Sequence, residues 1–121
     1  MTEVASLSLD RRRNVAVATV SGEIDFSAAH DIERRILAWT SNEDAVLILD
    51  LTTLSYIDSA GINVVFHLAA RLREHGQVLS LVFPADSAPS RTLSMVGIDK
   101  QVPVFRSIDQ AVADQRSAGE L

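Results

Sequence analysis

The chain has 121 residues, 47% of them apolar, a net charge of −5 and no cysteine. That is enough for a single domain, 1–121, with a packed core of its own. The acidic balance argues against nucleic acid as a partner, since phosphate binding needs a basic face. The missing cysteines exclude disulfides, thiolate catalysis and cysteine-held metals.

Taken in order, Val4–Leu9 alternates, with Ala5, Leu7 and Leu9 on one side, and reads as a strand with one buried face. Asp10–Asn14 is polar and reads as a turn, with Arg11, Arg12 and Arg13 solvated. Val15–Val20 is β-branched and apolar and forms a hairpin with the first strand. Ser21-Gly22 breaks it, and Glu23–Ser27 is a loop. A helix follows, with Ala29, Ile32, Ile36 and Trp39 on one face and Asp25 or Ser27 as its N-cap. Thr40–Asp44 ends it.

Ala45–Leu51 is apolar apart from Asp50, which fits a central strand covered on both faces. Leu51–Ile62 then reads as the turn between that strand and a second helix. The helix has an apolar stripe of Ile62, Val65, Phe66, Ala69 and Leu72 and a stop at His75-Gly76. Val78–Phe83 is a strand, Pro84–Pro89 a loop, and Ser90–Val96 a short helix closed by Gly97. Val102–Phe105 is an edge strand because of its proline. Ser107 or Asp109 caps a last helix, and Arg116–Leu121 frays. The order ββαβαβαβα predicts an α/β fold, a mixed sheet with crossover helices. Gly22–Ser27 and Asp58–Gly61 are both strand-to-helix loops, so they are expected at the same sheet end.

Chemistry narrows the options. Ser59 lacks a Gly-x-Ser-x-Gly elbow, and His30, His67 and His75 lie on helices away from it, which disfavours catalysis. His67 and His75 are eight residues apart, with no partner at the spacing of a metal pair, and no Gly-rich phosphate loop exists. No cofactor or metal is expected. Asp25 and Asp58 read as helix caps or as a carboxylate pair. Ser59, after an acid at a helix start, reads as a cap, an anion ligand or a modification site. Met1–Ser6 lacks signal-peptide character, and no apolar run reaches the ~20 residues of a membrane helix. A cytoplasmic protein is expected.

Three segments together resemble a known family. They are Val20-Ser21-Gly22-Glu23-Ile24-Asp25, then Leu54-Ser55-Tyr56-Ile57-Asp58-Ser59-Ala60-Gly61, and Leu93-Ser94-Met95-Val96-Gly97-Ile98. Over roughly residues 5–115 the chain is similar to the STAS family of bacterial anti-sigma factor antagonists. The resemblance implies a STAS-like mixed sheet with an N-terminal hairpin, and a non-enzymatic role in partner switching. The unphosphorylated protein would bind an anti-sigma factor that is also a GHKL-type serine kinase, and so free a sigma factor. Phosphorylation at Ser59 would end binding, and a PP2C-type phosphatase would reset it. Partner contacts would come from Gly22, Glu23, Asp25, Asp58, Ser59, Ala60, Gly61 and Asn63. Alanine at position 60, where some members carry Ser or Thr, leaves Ser59 as the single acceptor candidate of that loop. Two other readings stand beside this one: a constitutive STAS scaffold in a larger signalling assembly without Ser59 modification, and a small-molecule or nucleotide-binding enzyme.

Overall fold

A computed structural model of the protein describes residues 5–12 and 15–119. Among these residues six strands form one sheet: β1 (Ser6–Arg12), β2 (Val15–Ile24), β3 (Val46–Asp50), β4 (Leu54–Ile57), β5 (Val78–Val82) and β6 (Val104–Phe105). The spatial order is β1-β2-β3-β5-β6, with β4 paired to the far end of β2. Among the described residues β1–β2 is antiparallel and the other pairs are parallel. Four helices, α1 (Phe26–Trp39), α2 (Ser59–Glu74), α3 (Ala88–Met95) and α4 (Ile108–Gly119), connect or close the strands.

Strand parity sorts the core. Ala16, Ala18, Val20, Leu47, Leu49, Leu79 and Leu81 face α1 and α2, while Val15, Val17, Ile48 and Val82 meet Ala111 of α4. β3 sends apolar side chains both ways, as a covered central strand should. Ile32 and Ile36 of α1, with Val64, Val65, Leu68 and Leu72 of α2, complete the larger core. β6 is the expected edge strand but shorter; Pro103 precedes it, and its carbonyl accepts from Leu81 N.

Several boundaries differ from expectation. β1 runs on through Arg12, so Arg11 is a strand residue and not part of a solvated turn. Its guanidinium donates to both carboxylate oxygens of buried Asp44, at 3.1 and 2.9 Å, and stacks 4.3 Å from the Trp39 ring centroid. Arg13 and Asn14 of the expected turn, and Met1–Val4, lie outside the described residues.

Ser21-Gly22 does not end β2. Gly22 has φ 83° and the register shifts there, so the strand bulges and continues to Ile24. A bulge admits one extra residue and re-aims the strand beyond it. The extension pairs with β4, a strand absent from the sequence reading. Four residues with only Leu54 and Ile57 buried give no period-2 signal.

α1 begins at Phe26 and α2 at Ser59, three residues before Ile62. The buried α2 stripe includes Gly61, Val64 and Leu68, with Ile62 and Phe66 only half-buried. A short 3-10 turn, Ile98–Lys100, follows α3, and α4 extends past Arg116 to Gly119. Ser107, and not Asp109, caps α4 by accepting from Gln110 N at 3.2 Å.

Candidate functional site

The site grows from a dipeptide used twice. β2 ends at Ile24 and β4 at Ile57, each followed by an aspartate, and Ile24 is the register partner of Ile57 on the adjacent parallel strand. Each aspartate is extended, at φ −110° ψ −177° and φ −105° ψ −172°, and each starts a helix. Two parallel strands in register therefore deliver two helix N-termini side by side. Each terminus carries unpaired N–H groups and a partial positive charge.

Asp58 serves both helices. Its Oδ1 accepts from Ala60 N at 2.9 Å and Gly61 N at 3.1 Å, capping α2. Its Oδ2 accepts from Phe26 N at 3.1 Å, the first N–H of α1. Its own N–H donates to Ile24 O at 3.2 Å. Asp25 caps only its own helix, with Oδ1 accepting from Ser27 Oγ at 2.7 Å and Ala28 N at 3.1 Å. The Ser27 hydroxyl, followed by the Ala28 N–H, holds the Asp25 carboxyl below the usual carboxylate range. Both acids are thus helix caps. Asp58 spends its oxygens on three backbone donors and does not orient the Ser59 hydroxyl.

Around this centre the structure sorts the expected contact residues. Ser59 and Asn63 are exposed, one helical turn apart on α2. Glu23, Asp25, Asp58 and Ala60 are half-buried, and Gly22 and Gly61 are buried. The glycines therefore shape the surface from beneath. A Cβ on Gly61 would lie 2.7 Å from Ile57 Cγ1 and 2.9 Å from both Ile24 Cγ2 and Ile24 O. Only glycine lets α2 start this close to the paired Ile-Asp ends. The bulge is pinned from below, with Gly22 O accepting from Ser55 Oγ at 3.0 Å and Ser21 Oγ 2.6 Å from Thr53 Oγ1.

Ser59 Oγ has no hydrogen-bond partner among the described residues. The histidines are occupied elsewhere or sit apart. His67 Nδ1 is 3.3 Å from Glu33 Oε1 across the α1–α2 groove, and His75 Nδ1 lies 2.8 Å from Arg71 O. Among the described residues no group of three His, Cys, Asp or Glu is placed to hold a metal, and no helix is long and apolar enough to cross a membrane. What the arrangement offers is a hydroxyl held in water at the start of a rigid helix.

Sequence reasoning missed the second bond of Asp58 and the place of Phe26. Ile-Asp occurs four times, at 24–25, 57–58, 98–99 and 108–109, and only the pairing of β2 with β4 picks out the first two.

A hairpin, a parallel sheet bulged at Gly22 and two helices capped at paired aspartates together define the class. The chain belongs to the STAS domain family, whose model matches residues 6–111. It is similar to the anti-sigma-F factor antagonist RsfB of Mycobacterium tuberculosis, 28% identical over 103 residues that span 84% of this chain and 82% of that protein. The fold matches the crystal structure of an anti-sigma factor antagonist from Mycobacterium paratuberculosis, with TM-score 0.83 and 24% identity over 93% of this chain and 95% of that one. It also matches the anti-sigma factor antagonist SpoIIAA in its unphosphorylated form, with TM-score 0.74 and 20% identity over 93% and 97% of the two chains. Against the phosphorylated form of SpoIIAA, a Bacillus cell fate determinant, the values are 0.68 and 20% over 90% and 98%.

Proposed function

We propose that this chain is an anti-anti-sigma factor switched by phosphorylation at Ser59. Unphosphorylated, it binds an anti-sigma factor that is also a GHKL-type serine kinase, and a sigma factor is freed. Phosphate on Ser59 ends the binding, and a PP2C-type phosphatase restores it. The observation that carries this reading is the Ser59 hydroxyl itself, exposed at the start of α2 beside a cap that does not use it. Its likeness in fold to an antagonist solved with and without phosphate supports the same reading.

The physics asks little of the fold. Phosphoserine adds about −1.5 to −2 charge and three acceptor oxygens. The α2 terminus favours an anion by about 0.3–1 kcal/mol, and Asp58 opposes it. Modification breaks no hydrogen bond, because Ser59 Oγ makes none among the described residues. A dianion enclosed in an interface without a counter-charge costs several kcal/mol. A loss of about 3–4 kcal/mol is a factor of ~10²–10³ in affinity, so release needs no large conformational change.

The test pairs the protein with each anti-sigma factor of its source genome and ATP, followed by mass spectrometry and binding measurements. Phosphate is expected on Ser59, with Ser59→Ala binding and Ser59→Asp not. Phosphate on another residue, or equal affinity of the two variants, refutes the switch.

A further inference from the structure

The Ser59 pole carries two features that the fold does not use. Phe26 is 85% exposed at the first position of α1, and Tyr56 is 48% exposed on β4. Neither belongs to a core cluster. Both are fixed to the site: Phe26 N is bonded to Asp58 Oδ2, and Tyr56 is the register partner of Glu23. The strands and helix starts that build the site carry acids and no cation, while α3, which packs on β4, adds Arg91, paired with Asp86 at 3.0 Å. From Asn14 to Glu33 and from Ile36 to Ala70 the chain has no Lys or Arg, while Glu23, Asp25 and Asp58 stand at the site. The cations of α2 are confined to its last turn, at Arg71 and Arg73.

Solvent-facing aromatics are what protein interfaces use as anchors. Their backbone is held by the sheet and by Asp58, so docking orders the two side chains and not the segments that carry them. We propose that Phe26 and Tyr56 are the apolar anchors by which this pole docks on a folded protein, the anti-sigma factor of the function proposed above. The socket that receives them is apolar, with a basic rim opposite Glu23, Asp25 and Asp58. This rests on that functional reading and adds to it the residues that bind and the chemistry of the partner surface. It also places the switch. Ser59 follows the cap that fixes Phe26, so a phosphate there falls where the anchors exclude water and the rim cations are already matched.

The experiment measures affinity of the full chain for the anti-sigma factors of its source genome, with the anti-sigma-F factor of Mycobacterium tuberculosis as a fixed probe. Phe26→Ser and Tyr56→Ser are each expected to weaken binding by a factor of ~30 or more, with unchanged melting temperature. Val78→Ser, an exposed apolar residue at the opposite, amino-terminal end of β5, is expected to stay within about twofold. Wild-type association should slow as salt is raised. If Ser59→Asp abolishes binding while Phe26→Ser and Tyr56→Ser bind like wild type, the function stands and the anchors fall. If the wild type binds none of these proteins, both fall. If Phe26→Ser instead converts a dimer into a monomer and leaves partner affinity intact, the patch belongs to a second copy and the proposal is overturned.

Discussion

Asp58 is the residue on which the site geometry turns, and its two roles can be measured apart. Replacing it with Ala removes the acceptor for Ala60 N, Gly61 N and Phe26 N together. Loss of an N-cap costs about 1 kcal/mol. The bond to Phe26 N adds about 0.5–1.5 kcal/mol, since water can reach that exposed position. The sum is about 1.5–2.5 kcal/mol, a fall of about 5–15 °C in melting temperature for a domain of this size. Asp58→Asn separates the two roles. Asn caps a helix about as well as Asp and keeps an oxygen for Ala60 N and Gly61 N, but it puts an NH2 donor where Oδ2 accepted from Phe26 N. By urea unfolding Asp58→Asn should cost about 0.5–1.5 kcal/mol, and Asp58→Ala about 1 kcal/mol more for the α2 cap. An Asp58→Asn protein as stable as wild type would show that the bridge has no energetic weight and that the two helix starts are independent.

The remaining predictions concern the packing, the far pole and the switch. Gly61→Ala gains about 1 kcal/mol of helix propensity but drives a Cβ to 2.9 Å from the Ile24 carbonyl, an overpacking cost of about 1–3 kcal/mol; a net loss is expected, and a rise in melting temperature would sink the close-approach argument. The Arg11 guanidinium, aided by Ser41 N–H and opposed by burial, holds the Asp44 carboxyl below its ordinary value. The unfolded chain therefore binds more protons as pH falls through about 4, and the stability Asp44 contributes above that pH is lost on the way down to its folded value. Asp44→Asn should flatten that part of the pH–stability curve, and an unchanged acid slope would exclude the pair as its source. Arg11→Ala strands the buried carboxylate with Ser41 N alone and should cost about 1–3 kcal/mol by urea unfolding; a loss within error of zero would show that Asp44 does not depend on it. Ser59→Asp should alter stability by less than about 1 kcal/mol, because the position is exposed at a helix start; a larger loss in thermal melts would mean that charge there acts through the fold.

Much of the architecture was written in local patterns. The alternation of Leu7 and Leu9, the apolar run Val46–Leu49, the spacing of Ile32 and Ile36, and Gly76 at φ 72° were legible because each reports on its own segment. The acids Asp25 and Asp58 were legible as caps for the same reason: capping is a matter of four consecutive residues. Together with the family resemblance, they place Ser59 at a helix start before any coordinates are known.

Tertiary structure decided what depends on a partner distant in sequence. β4 exists because β2 runs on past the Gly22 bulge and offers it a ladder; nothing within Leu54–Ile57 specifies a strand alone. The exposed basic residue Arg11 became the partner of a buried carboxylate because β1 reached Asp44, 33 positions away. Above all, the sequence made Asp58 the cap of one helix, while register between Ile24 and Ile57 made it the link between two. That register sets Phe26 and Tyr56 beside the serine, and a pairing across strands cannot be read from either strand by itself.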